Sequence, residues 1–129
     1  MKKKILIVYA NYYQEISSGL LKGAKNLLPK NSTIKTISVP GVFEIPVTIS
    51  KNIKKYDGFI ALGCVIKGQT PHFDFISKSS IDAIMQLSIN FKKPIGNGII
   101  TCFNSKQAKA RINKGAEAAD AVISILSQK

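Results

Sequence analysis

Arginine, histidine, cysteine and acidic residues are all scarce in this 129-residue sequence. Nineteen basic residues stand against seven acidic ones, a formal net charge of +12, yet Arg111 is the only arginine. Base-reading nucleic-acid surfaces favour arginine because a guanidinium makes two parallel hydrogen bonds to one partner. Lysines scattered over nearly every segment read instead as solvated faces with a small anionic ligand, so no nucleic-acid partner is expected. Two cysteines, Cys64 and Cys102, are too few for a disulfide scaffold and lack metal-ligand spacing. Each sits in an apolar run and reads as a buried free thiol of a cytoplasmic protein. The longest apolar stretch, Gly58 to Ile66, is nine residues, whereas a membrane-crossing helix needs about 20. The opening Met1-Lys2-Lys3-Lys4-Ile5-Leu6-Ile7-Val8 imitates a secretory signal, but its apolar part ends at Asn11 without a small-residue cleavage site.

What is present is an ordinary globular composition, 45% hydrophobic and 20% charged, and a length that fits one domain over residues 1–129. Strand and helix patterns alternate. Lys4 to Ala10 reads as a buried strand, and Ile16, Leu20, Leu21, Ala24, Leu27 and Leu28 recur at helical spacing until Pro29. Thr33 to Val39 reads as a second strand. From Phe43 onward, Ile45, Ile49 and Ile53 mark a helix with Pro46 in its first turn, where proline is tolerated. Tyr56 to Ile66 is the most continuously apolar segment and therefore a central strand. After a loop from Lys67 to His72, Ile76, Ile84, Leu87 and Phe91 line a long helix. Pro94 to Cys102 is a fourth strand, whose Gly96 and Gly98 invite close approach by another backbone. Ser105 to Gln128 is helical with a break near Asn113 to Gly115. Four β-α pairs predict a parallel sheet with right-handed crossovers and helices on both faces. Ligands bind such sheets at the carboxyl ends of the strands, here Asn11–Tyr13, Pro40–Glu44, Ile66–His72 and Cys102–Asn104.

Those loops carry the chemistry. Asn11-Tyr12-Tyr13-Gln14 offers either a stacking platform for a planar ligand or a pair of half-buried tyrosines. Glu44, in Pro40-Gly41-Val42-Phe43-Glu44-Ile45-Pro46, suits either a helix start or the binding of ligand hydroxyls. Gly68, Gln69 and Thr70 precede a helix, where backbone N–H groups can hold a phosphate. His72, the lone histidine, lies beside them and suits a proton shuttle.

Pro40 to Pro46 resembles the PGAFEIP segment of the lumazine synthase family, which acts in riboflavin synthesis. Leu62-Gly63-Cys64-Val65-Ile66-Lys67-Gly68-Gln69-Thr70-Pro71-His72-Phe73-Asp74 is similar to its LGxVIRGxTxHxD segment, and Asn113 to Ala119 to its NKGxEAA segment. Leu20 to Ala24 also fits the first helix, so the resemblance runs from about Ile5 to Leu126. It implies a flavodoxin-like three-layer α/β/α sandwich with a four-stranded parallel sheet. The implied reaction is condensation of 5-amino-6-(D-ribitylamino)uracil with 3,4-dihydroxy-2-butanone 4-phosphate. Its products are 6,7-dimethyl-8-ribityllumazine, phosphate and water, with no metal or cofactor. By resemblance, Tyr12 stacks on the pyrimidine, and Val42, Phe43 and Glu44 hold the ring and the ribityl hydroxyls. Val65 and Ile66 supply backbone contacts to the uracil edge. Gly68, Gln69, Thr70 and Arg111 bind phosphate, His72 is catalytic and Lys114 is a site lysine. Asn97 falls where a neighbouring subunit lends an aromatic side chain.

Several departures stand out. Asn97 replaces that aromatic and loses the stacking face, whereas Lys67 replaces the arginine of the LGxVIRGxTxHxD segment and keeps the charge. The family's Arg-Phe-Asn triplet is Asn11-Tyr12-Tyr13 here, and the chain between Arg111 and Asn113 is shorter than in the long-form enzymes. Other readings of the fold fit less well. A flavodoxin-type carrier wants a hydroxyl-rich first loop, a phosphorelay receiver wants clustered acids at strand ends, and the archaeal type of riboflavin synthase would consume lumazine. The resemblance further implies a homopentamer with sites between subunits. A closed shell of twelve pentamers is not expected. Only Met1 to Lys3 precede the first strand, the last interhelical turn is short, and the charge per chain is high.

Overall fold

The computed structural model describes residues 2–67 and 72–128, with His72 and Phe73 described by their backbone alone. The elements run β1 (Lys4–Ala10), α1 (Gln14–Leu27), β2 (Thr33–Val39), a 3-10 turn (Val42–Glu44), α2 (Ile45–Lys51) and β3 (Gly58–Ile66). They continue with α3 (His72–Phe91), β4 (Ile95–Cys102), α4 (Ser105–Ala110) and α5 (Lys114–Leu126). The four strands form one parallel sheet in the order β2-β1-β3-β4.

Strand alternation splits the core in two. Ile5, Ile7, Ile60, Leu62 and Cys64 face one side, where Leu20 and Ala24 of α1, Ala108 of α4 and Val122 of α5 close over them. Leu6, Val8, Phe59 and Ala61 face the other side, against Ile45 and Ile49 of α2 and Ile84 of α3. A parallel sheet must be covered on both faces, and the result is a three-layer α/β/α sandwich.

The first two strands coincide with the sequence reading, while the other boundaries shift by local chemistry. Residues Val42–Glu44 form a 3-10 turn, so α2 begins at Ile45 and not at Phe43. It ends at Lys51, and Ile53 reaches the core from a following turn. Pro94 lacks an N–H and stands before β4, where its carbonyl accepts a hydrogen bond from Phe59 N (3.0 Å). β3 starts at Gly58, after Asp57 Oδ2 accepts the Lys4 backbone N–H at 2.8 Å. The helical C-terminal segment is interrupted between Ala110 and Lys114.

The glycines of β4 let α5 sit against the sheet. A methyl group on Gly96 would collide with the carbonyl oxygen of Ala118, and one on Gly98 with Leu62 Cδ2 at 2.5 Å. Gly115 plays the same part between α5 and the Leu20 carbonyl of α1. Because the obstacle at Gly96 is backbone, Gly96→Ala is expected to destabilise the fold by about 1–3 kcal/mol, the usual cost of overpacking. A urea midpoint unchanged from wild type would show that α5 can retreat freely.

Candidate active site

The connections leaving β1 and β3 pass to opposite faces of the sheet, and a cleft of about 710 Å³ opens between their carboxyl ends. Tyr12 and Tyr13, which follow β1, form one wall. Their rings meet edge-on, with centroids 4.9 Å apart and planes at 79°. Tyr12 is 74% exposed and offers a free face, whereas Tyr13 is half-buried against the core. Burial, with smaller contributions from Tyr12, Cys64 and Cys102, raises the Tyr13 phenol above its ordinary value.

The segment after β2 supplies the opposite wall. Val42 is buried, Phe43 projects into solvent, and Glu44 lies half-buried at the junction with α2. The Glu44 carbonyl accepts the Thr48 hydroxyl at 2.9 Å, which ties the turn to α2. Its carboxylate lies back over Gly41, where a side chain on residue 41 would come within 3.2 Å of Oε1. Val65 and Ile66 close the floor from the end of β3. Five residues that the sequence reading assigned to the site, Tyr12, Val42, Phe43, Glu44 and Val65, thus meet in one cleft, with Ile66 as a sixth.

Sequence reasoning missed four of the lining residues. Cys64 reads in the sequence only as a buried thiol, and Phe75, Ile76 and Ser79 lie on α3 beyond the loops at the strand ends. The helical repeat contained the missing signal. Residues 75, 76 and 79 share one face of the first turns of α3, and a helix that starts at a strand end carries such a face along the cleft.

Arg111, Lys114 and Asn97 lie elsewhere. They line a second hollow of about 560 Å³ beside β4, which shares no lining residue with the cleft. Arg111 Nη1 donates to the Thr101 carbonyl at 3.0 Å, which fixes the exposed guanidinium at the end of α4. Lys114 opens α5 one turn further on. Asn97 Oδ1 accepts the Ile99 N–H at 3.0 Å, so its carbonyl is occupied within its own strand. Arg111 and Lys114, on either side of the short turn between α4 and α5, face the same hollow.

Gly68, Gln69 and Thr70 lie outside the described residues, as does the side chain of His72. The backbone of His72 is the first residue of α3, directly after that segment. At its near end, Lys67 N donates to the Cys102 carbonyl at 2.9 Å. Its ammonium group lies 5.4 Å from the Phe103 ring centroid, a cation–π contact that holds positive charge at the loop.

A family model described as 6,7-dimethyl-8-ribityllumazine synthase matches residues 2–129. The chain belongs to this family. Relatives bearing the same name match along almost the whole chain. The protein of Bartonella tribocorum is 44% identical over 140 residues, covering 100% of this chain and 93% of its own length. That of Agrobacterium fabrum is 41% identical over 141 residues, with 99% and 95% covered. A protein of Rhodopseudomonas palustris named 6,7-dimethyl-8-ribityllumazine synthase 1 is 42% identical over 139 residues, with 98% and 85% covered. This member of the lumazine synthase family thus presents an aromatic cleft and a separate hollow lined by Arg111, Lys114 and Glu117.

The thiol on the cleft floor has its own pH signature. Burial first, then the neighbouring Cys102, pushes Cys64 up to about 12 from an ordinary value of 9.0. The folded state therefore holds the proton more tightly than the unfolded chain. This contribution to stability is complete below pH 9 and is lost as pH rises towards 12. Unfolding midpoints are expected to fall over that alkaline window in wild type and to fall less in Cys64→Ala. Identical alkaline slopes in the two proteins would remove the thiol as the cause.

Proposed function

We propose that the chain forms 6,7-dimethyl-8-ribityllumazine in the cleft at the carboxyl ends of β1, β2 and β3. The substrates are 5-amino-6-(D-ribitylamino)uracil and 3,4-dihydroxy-2-butanone 4-phosphate. The observation that carries this reading is the coincidence of Tyr12, Phe43 and Glu44 around one cleft in a chain of this family. A planar pyrimidine stacks on the free face of Tyr12. Glu44 accepts hydrogen bonds from the ribityl hydroxyls, and Val65 and Ile66 present main-chain groups to the uracil edge.

The amine of the pyrimidine adds to the ketone carbonyl, and loss of water leaves an imine. Phosphate departs, and the second ring closes with loss of water. Both partners are already reactive, so alignment in the cleft supplies much of the acceleration. His72 moves protons between these steps. Phosphate is held by the N–H groups of Gly68, Gln69 and Thr70 and by the guanidinium of Arg111, with Lys114 beside it. His72→Ala is expected to lower turnover by roughly 10–1000-fold, the usual range for general acid–base catalysis, with pyrimidine affinity retained. The direct check is lumazine absorbance after mixing both substrates with wild-type and variant protein. Wild-type turnover in the variant would remove His72 from the mechanism, and no lumazine from wild type would sink the whole reading.

The site is shared between copies of the chain. Arg111 and Lys114 occupy a hollow distinct from the cleft, so phosphate binding by Arg111 calls for the hollow of one subunit against the cleft of the next. Exposed Phe75, Met85 and Ile89 on α3 supply apolar surface for self-association. A cyclic pentamer satisfies this head-to-tail arrangement, because heterologous contacts close into rings. The high positive charge and short α4–α5 turn favour a pentamer over a shell.

Two measurements check the assembly. Light scattering should give five chains of 14.0 kDa, about 70 kDa; a fully active monomer would contradict the shared site. Glu44→Gln and Arg111→Ala should each be poorly active alone. Dissociated and reassembled together in equal amounts, they should recover about one quarter of the sites by random pairing. No recovery from a mixture proven to exchange subunits would place both residues in one protomer's site.

A further inference from the structure

Cys64 and Cys102 are nucleophilic groups that the condensation leaves unused. Their sulfur atoms lie 4.0 Å apart across β3 and β4, both side chains are buried, and Cys64 is part of the cleft floor. Tyr13 packs against the cluster that contains both. The pair faces apolar neighbours, including Leu62 and Ile100.

A disulfide does not suit this geometry. The sheet register sets Cys64 opposite Ile100 and Cys102 opposite Ile66, so the cysteines are diagonal neighbours and not direct partners. Strands about 4.8 Å apart and two residues of about 3.3 Å rise put diagonal Cα atoms about 8 Å apart. Disulfides require about 4.4–6.8 Å, and the core of a four-stranded sheet resists that closure. A metal ion needs far less movement. Two thiolate–metal bonds of about 2.3 Å, the zinc–thiolate length, span the 4.0 Å gap at an S–metal–S angle of about 120°, and opening the sulfurs by about 0.6 Å makes the arrangement linear.

We propose that Cys64 and Cys102 form a two-coordinate site for a soft monovalent cation of the copper(I) or silver(I) class, entered from the cleft. Thiolate ligands select soft cations. Zinc is disfavoured because it takes four ligands, and no group of three or more His, Cys, Asp or Glu side chains gathers among the described residues. On binding, two sulfur–metal bonds form, both S–H bonds break, and both protons pass to the buffer through the cleft. The metal keeps its oxidation state, so no oxidant or reductant takes part. This inference is independent of the condensation chemistry, and its test does not use activity.

The test titrates the folded protein with copper(I) held by a coloured chelator, and with silver(I) in chloride-free buffer. One equivalent per chain is expected. Affinity should rise about 100-fold per pH unit between pH 6 and 8, because two protons are displaced. Cys64→Ala and Cys102→Ala, each verified as folded by circular dichroism, should both lose at least 100-fold in affinity. Cys64→Ser and Cys102→Ser, polar alternatives of similar size, should lose as much. Binding that survives in any folded single variant within tenfold, two equivalents per wild-type chain, or a pH dependence below tenfold per unit would overturn the pair as the site. Absence of binding to folded wild type would overturn it outright.

Discussion

Parallel pairing of β1 with β3, in register from Ile5 opposite Gly58 to Tyr9 opposite Leu62, is the constraint from which the site follows. From β1 the chain crosses outward through α1 on one face, returns by α2 on the other, and continues outward through α3. Right-handed crossovers require this change of face when the direction along the sheet reverses. The connections after β1 and β3 consequently diverge, and among the described residues no helix covers the strand ends between them. The cleft lies at this point because the topology leaves it open. Its floor is held by the buried sheet, and Ser17 of α1 anchors the first turn by donating its hydroxyl to the Ala10 carbonyl.

Burial periodicity made most of this legible in the sequence. β1 is an apolar run buried on both faces, whereas β2 is mostly exposed and is legible only through the alternation of Ile34 and Thr36 that Ile37 breaks. Where the boundary depends on hydrogen bonding, the runs were silent. Phe43 is apolar and its sequence pattern predicts the start of a helix, yet it is exposed in a 3-10 turn. Ile53 satisfies the helical period but lies in the turn after α2. Hydrophobicity reports which side chains are buried. It does not report which carbonyls accept the next bond, and the element ends are set by those bonds.

The candidate site was legible in composition more than in arrangement. Motifs identified Tyr12, Glu44 and Arg111, but a linear sequence cannot state that the first two share a cleft while the third faces a separate hollow. Tyr13 illustrates a second limit. It departs from the family triplet, and its contribution comes from tertiary packing: the ring sits edge-on to Tyr12 and against the core. A tyrosine in place of that triplet's asparagine puts a second aromatic ring on the cleft wall beside Tyr12. That exchange becomes visible only when the two rings and the thiols beneath them are seen together.

The second hollow has its own electrostatics. Glu117 lines it with Arg111 and Lys114, so two cations face one carboxylate there. Arg111 uses one N–H on the Thr101 carbonyl, which leaves further donors of its guanidinium for an anion. Lys114 adds charge beside it without competing for geometry. The chain's excess of lysine then acts at longer range, attracting an anionic substrate towards the surface. Salt should weaken that attraction more than stacking on Tyr12, because screening acts on charge and leaves aromatic burial largely intact. In the proposed reaction, lysines would raise the local concentration of the anion and the lone guanidinium of Arg111 would orient it.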